Sequence, residues 1–296
     1  MKKNKPSSTA LLILKAILFV SYDKQYAEMI PGESTRLSLI FVQSLFKYPG
    51  LLRFAIKNKQ CRAVIAWFER RTNPGFFLHV AARKQCIEQL SREAIEHGVS
   101  QIIILGAGYD TLGFRIAATE SAITCIEIDH PDTAKHKCAA LQSIKKPENL
   151  YWLNANLRQQ SIKEVLQQCS IFDPTKMTLV IIEGVLMYLR EDDVKKLFVN
   201  LSMLTSNELA CIFTFMNKEK GMPIQFKTAH PFVNRWLQVI KEPFLWGIAR
   251  ADLSAWIKPL GFEQIAVWGH EELAEKMAGN PLLAQGELIC LMRKCL

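Results

Sequence analysis

The chain has 296 residues, 49% of them hydrophobic and 22% charged, and a net charge of +9. That composition can bury a sizeable core and excludes a disordered or fibrous chain. The charge is uneven: the first 100 residues hold 16 Lys and Arg against 7 Asp and Glu, whereas the rest is balanced. A basic first third beside a neutral body suits an acidic substrate, RNA or an anionic membrane surface, or simply solvated helix faces.

In chain order, Lys2, Lys3 and Lys5 precede the apolar run Leu11–Val20. Lys15 interrupts that run, no small-residue cleavage site follows, and the run is too short to span a bilayer. An amphipathic helix and no transmembrane segment are expected. Residues 9–97 read as a succession of helices. Ser34 opens one after the Pro31-Gly32 turn, and Pro49-Gly50 marks the next break. Arg83, Ile87, Leu90 and Ala94 recur at helical spacing, which predicts a helix over Phe76–His97 that stops at Gly98.

Beyond Gly98 the pattern changes. Short continuous apolar runs at 101–105, 122–128, 150–153, 177–183 and 208–215 read as strands buried on both faces. Helical stretches lie between them at Thr111–Ala118, Pro131–Ser143, Gln160–Cys169 and Glu191–Leu204. Regular alternation of strand and helix means a doubly wound, parallel sheet. Two more strands, at 263–269 and 287–293, flank only a short helical piece, Glu271–Met277, so an antiparallel insertion is expected there. Residues 216–250 lack strand character and suit a lid or substrate wall. The organisation expected is a helical cap over 1–97 and an α/β catalytic domain over 98–296. The eight cysteines form no C-x-x-C pair and several lie in apolar runs, and six histidines are scattered too. They predict a reducing, cytoplasmic setting and no metal site.

The chemistry-bearing residues lie at strand ends. The first strand runs into Leu105-Gly106-Ala107-Gly108-Tyr109-Asp110-Thr111. Gly106 and Gly108 allow a sharp turn and close approach of a ligand to the backbone. A nicotinamide dinucleotide would want a third glycine where Thr111 stands, and Asp110 sets a negative charge where pyrophosphate would sit. The second strand ends in Glu127-Ile128-Asp129-His130-Pro131. Asp129 follows the glycines at the distance of an acid that holds ribose hydroxyls. Glu127 lies deeper, where an unpaired carboxylate is costly. Asn156, in Asn154-Ala155-Asn156-Leu157-Arg158, offers an amide donor and acceptor to an adenine edge, or serves as a turn residue. Glu183 stands at the carboxyl end of the central fourth strand, where such sheets bind ligands. Its charge demands a partner, either a cationic cofactor or a salt bridge.

VAARKQCIEQL, QIIILGAGYDT, CIEIDHP, NANLR and EGVLMYL, in that order from about residue 80 to 190, together resemble the leucine carboxyl methyltransferase family. SSTALLILKA and GELICLMRK resemble its two ends. The resemblance implies a Rossmann-like, seven-stranded, mostly parallel sheet with an N-terminal helical cap and S-adenosyl-L-methionine as cofactor. It implies that Arg83 binds the methionine carboxylate, that Gly106 and Gly108 line methionine and ribose, and that Asp129 holds the ribose. Asn156 and Leu157 would meet adenine, and Glu183 would lie near the amino end. Two positions depart from the family: Asn156 stands where Asp is frequent, and Glu88 replaces a frequent Asp. The expected reaction is methyl transfer to a carboxylate or hydroxyl oxygen of a small-molecule or peptide acceptor, with no metal. A hydroxyl acceptor would need a nearby base, for which Tyr109, Tyr188 and His230 are candidates by location. The alternatives are an NAD(P)-dependent oxidoreductase and a non-catalytic cofactor-binding module. A nucleic-acid substrate is disfavoured because Glu183-Gly184-Val185-Leu186 replaces the N/D-P-P-Y/F motif of amino-directed base methylases. Oligomeric state and the acceptor have no readable motif.

Overall fold

The computed structural model describes residues 7–157, 159–205 and 208–295; Lys2, Lys3, Lys5 and Arg158 lie outside the described residues. Five helices come first: α1 (Ser8–Ser21), α2 (Gly32–Leu45), α3 (Pro49–Lys57), α4 (Lys59–Thr72) and α5 (Phe76–Glu96). Pro31 caps α2, which therefore begins at Gly32, ahead of Ser34. Pro49 opens α3 at its first turn, where the missing N–H and fixed φ fit a helix start; the Pro49-Gly50 pair is thus a beginning as well as a break. Gly98, at φ +99°, ends α5 where the spacing placed its stop.

Strand and helix then alternate through β1 (Gln101–Leu105), α6 (Leu112–Thr119), β2 (Thr124–Asp129), α7 (Pro131–Leu141), β3 (Leu150–Asn154), α8 (Ile162–Gln167), β4 (Thr178–Ile182), α9 (Glu191–Ser202) and β5 (Leu209–Met216). Then come α10 (Pro231–Val239), α11 (Leu253–Ile257), β6 (Phe262–Trp268), α12 (His270–Glu275) and β7 (Glu287–Lys294). The sheet order is β3-β2-β1-β4-β5-β7-β6. The first five strands are parallel, and β7 inserts antiparallel between β5 and β6. The expected seven-stranded, mostly parallel α/β sheet is therefore present, with its antiparallel insertion where the short α12 connection placed it. The short helix α11 was not legible in the sequence pattern.

Alternating side chains of β1 feed two cores. Ile102 and Ile104 join Leu18, Phe41 and Ile87 on the face covered by the first helices. Ile103 and Leu105 join Phe198, Phe213 and Leu253 on the other. Each fully buried side chain of this size contributes about 1.5–3 kcal/mol of transfer free energy, which is why both faces read as unbroken apolar runs. α1 packs along α5, α2 against α7, and α12 against α5, so the N-terminal helices lie over the sheet's carboxyl edge. No helix among the described residues is long and apolar enough to cross a membrane. All eight cysteines are free thiols, and the described residues hold no group of metal-binding side chains.

Candidate active site

The carboxyl ends of β1, β2 and β4 open into a cavity of about 1270 Å³, roofed by α1, α5 and α10. Arg83, Gly106, Gly108, Tyr109, Asp129, Asn156, Leu157, Glu183 and Tyr188 all line it. Of the three candidate bases, only His230 does not; it is an exposed cap of α10 whose Nδ1 accepts from the Phe232 amide at 3.2 Å.

The glycine turn is built by backbone geometry. Gly106 and Gly108 have φ of +69° and +50°, a region that side chains resist. The Gly106 amide donates to the Ile128 carbonyl at 2.7 Å, which folds the turn onto β2. Asp129 completes the fold: its two carboxylate oxygens accept from the amides of Gly108 and His130. Burial raises the Asp129 carboxyl above its ordinary range, and those amides oppose the rise.

Asp110 does not stand as a bare charge. Its Oδ1 accepts from the amides of Thr111 at 2.6 Å and Leu112 at 3.3 Å, filling the N-terminus of α6. Lys84 Nζ lies 3.1 Å from the same oxygen. Burial pushes the Asp110 carboxyl up, but Lys84, Lys137 and Arg115 outweigh it and hold it at about 2. The anion site that a dinucleotide pyrophosphate would use is thus already taken by the protein.

Glu127 and Glu183 both find partners inside the protein. Glu127 Oε2 meets Lys137 Nζ at 2.7 Å and the Trp152 indole N–H at 2.9 Å. Glu183 Oε1 accepts from Arg83 Nε at 2.9 Å and lies 2.8 Å from its Nη2 as an ion pair, and its Oε2 accepts from Lys84 at 3.1 Å. The cation that Glu183 demands is therefore in the chain itself.

The sequence did not reveal the other end of this network. Glu287, at the start of β7, accepts from Arg83 Nη1 and from His79 Nε2 through the same oxygen. Burial would raise the Glu287 carboxyl, yet Arg83 and His79 hold it at about 2. For Lys84, the carboxylates of Asp110 and Glu183 outweigh burial and raise its ammonium. Two cations, Arg83 and Lys84, thus face three carboxylates, Glu183, Glu287 and Asp110, all nearly out of solvent. Lys84 and Glu287 left one signal each: a second charge beside Arg83, and an acid opening an apolar strand. Glu88, the family departure, ties α5 to α6 by bonding Arg115 and, at 2.9 Å, Arg92.

The wall toward α4 and α10 is different. Phe76, Phe226, Trp236, Leu237 and Phe244 line it. Tyr188 packs on Phe244 with ring centroids 5.6 Å apart, and its hydroxyl bonds Thr9. Burial raises both the Tyr188 and the Tyr109 phenols. Glu242, after α10, accepts from the Ser8 amide at 3.2 Å and from Thr9 Oγ1 at 2.7 Å, which latches the α10 segment to the start of α1.

A mostly parallel seven-stranded sheet with a glycine turn after β1 and an acid after β2 is a Rossmann-like fold. The sequence pattern described as leucine carboxyl methyltransferase matches residues 50–202, and the chain belongs to that family. A protein of Mycobacterium marinum, provisionally named an S-adenosyl-L-methionine-dependent methyltransferase, is 23% identical over 216 residues, which are 69% of this chain and 67% of the relative. One of Mycobacterium bovis with the same name is 24% identical over 224 residues, 72% of this chain and 70% of the relative. The fold is shared with a solved structure, a provisionally assigned methyltransferase from Thermobifida fusca. That match has a TM-score of 0.59 at 14% identity and covers 100% of this chain and 97% of the other.

Proposed function

We propose that this family member uses S-adenosyl-L-methionine to methylate a carboxylate oxygen on an acceptor with a large apolar body, either a small molecule or a peptide. The observation that carries the reading is the placement of Gly106, Gly108 and Asp129 on a cavity wall whose carboxylates outnumber its cations. A cofactor bearing ammonium and sulfonium charge suits that surplus. Gly184 also fits a close-lying ligand: at φ +66°, a Cβ there would meet nothing within 4 Å. When bound, the cofactor supplies an electrophilic methyl group; the protein supplies position and electrostatics.

The residues divide that work. Asp129 keeps lone pairs for ribose hydroxyls beyond the two amides it already accepts. Asn156 and Leu157 border the adenine end. Arg83 Nε donates to Glu183 and Nη1 to Glu287, which leaves N–H donors for the methionine carboxylate. Glu183 and Glu287 fix the plane of that guanidinium. The segment over 216–250 acts as the acceptor's wall and lid.

A carboxylate acceptor is favoured because none of the three candidate bases suits proton removal in the cavity. Both candidate phenols are pushed up, so they stay protonated, and His230 lies outside. A carboxylate brings its own charge and needs no proton removed. A hydroxyl acceptor is the second reading, supported by the buried Tyr109 hydroxyl, which has no partner among the described residues. Methyl-labelled cofactor with a cell extract separates the two. Label released by mild alkali is a carboxyl ester and supports the first reading; alkali-stable label, on an ether, amine or thioether, overturns it. No transferred label at all contradicts methyl transfer.

A further inference from the structure

Helices α3 and α4 form a hairpin that adds almost nothing to the core. α4 has 14 residues and none is buried; in α3 only Ile56 is. Instead, Tyr48, Leu51 and Phe54 at one end and Val64, Trp67 and Phe68 at the other are each more than half exposed. Their three- and four-residue spacings make an outward apolar stripe on each helix. An amphipathic helix normally turns such a stripe inward, so this one awaits a partner.

The hairpin is also strongly basic. Lys47, Lys57, Lys59, Arg70 and Arg71 are exposed. Glu69, the one acid between residues 47 and 72, turns inward and accepts from the Phe77 amide at 3.4 Å. Aromatic and aliphatic side chains flanked by long cationic ones are the pairing that seats a helix in the headgroup region of an anionic bilayer. The stripe continues to the cavity: Phe68 and Thr72 line it together with Phe232 and Trp236 of α10.

We propose that the α3–α4 hairpin is a docking surface for an anionic lipid bilayer, and that the acceptor passes from the bilayer into the cavity along Phe68. Docking is independent of methyl transfer; only the acceptor's route rests on the methyltransferase reading. A second copy of this chain fits less well, because a two-fold contact would set like charges against each other. RNA has no use for Leu51 and Val64, which offer neither charge nor a stacking face.

The test is co-sedimentation of the full chain with vesicles of phosphatidylglycerol and phosphatidylcholine, or of phosphatidylcholine alone, at physiological salt. Binding to the anionic vesicles should be about tenfold stronger or more and should weaken with salt. Leu51→Glu/Phe54→Glu/Trp67→Glu, and separately Lys57→Ala/Lys59→Ala/Arg70→Ala/Arg71→Ala, should each lose at least about tenfold in vesicle affinity. All seven side chains are exposed or on exposed stripes, so circular dichroism and cofactor titration should not change. Equal binding to both vesicle types, no binding, or unimpaired variants would overturn the proposal. So would dimerisation that Leu51→Glu abolishes, or salt-sensitive RNA binding, if either occurs without anionic-vesicle binding. Cofactor titration on the same samples separates a failure of docking from a failure of the cofactor assignment.

Discussion

Toward the sheet, the cavity is walled by charge; toward α4 and α10, it is walled by aromatic rings. The charged wall is sunk and internally paired, with Arg83, Lys84, Glu183 and Glu287 bonded in a chain that links α5, the end of β4 and β7. The aromatic wall runs outward to Phe232 and Phe68, which are more than half exposed. A low-dielectric ion network tolerates little change, because each lost partner strands a buried charge. An apolar, half-wet surface can vary in shape at small cost to stability. The first construction suits one charged ligand held in a fixed pose, the second a surface that can change shape.

Breaking one partner on each wall should expose the contrast most strongly. Glu287→Ala leaves the Arg83 guanidinium partly uncompensated and should cost about 3–5 kcal/mol of unfolding free energy. Phe232→Ala should cost less than about 1 kcal/mol, since its ring is 55% exposed. Chemical denaturation of the two variants checks this, and equal losses would erase the distinction between the walls.

Ligand binding sharpens the same comparison. Asp129→Ala removes a charged acceptor and should weaken S-adenosylmethionine binding by about tenfold or more, at roughly 1.5–3 kcal/mol per lost charged hydrogen bond. Trp236→Ala, on the aromatic wall, should leave cofactor affinity unchanged and impair only the acceptor's KM.

Acid should loosen the charged wall. Glu287 and Asp110 fall from ordinary values of 4.5 and 3.8 to about 2 in the folded chain. The unfolded chain therefore binds their protons at higher pH than the folded one. Their contribution is complete above the ordinary values and is lost as pH drops from there toward 2. Glu127 and Asp129, raised by burial, act in the opposite sense. The clean observable is thus the difference between wild type and Glu287→Gln, which should shrink as pH falls from about 5 to 2. A difference independent of pH over that range would contradict the role given to Glu287.

The smallest effect belongs to the latch. Glu242→Gln weakens the cap on α1 and should cost about 1 kcal/mol, seen as faster amide exchange at Ser8 and Thr9. Unchanged exchange there would mean the lid is held elsewhere.

What could be read in the sequence follows the range of the interactions. Five parallel strands, the glycine turn and Asp129 were legible because each is a local pattern within a single β–α unit. The partner of Glu183 was not, nor was Glu287. Arg83 and Glu287 stand 204 positions apart and meet only because β7 inserts beside β5. Asp110 was read as a repulsive charge because its caps and Lys84 become visible only once α5 lies over the turn. His230 was placed by its position in the lid segment, while the histidine that meets the ion network is His79, on α5. The aromatic wall has no short motif, since its rings come from α5, the segment around Phe226, α10 and the stretch after it.

What the charged wall binds decides the function. Calorimetric titration of the wild-type chain with S-adenosylmethionine, set beside NAD and NADP, measures that directly. One cofactor per chain should bind, Asp129→Ala should weaken it about tenfold or more, and neither dinucleotide should compete. Saturable binding of a dinucleotide with no heat from S-adenosylmethionine would contradict the assignment.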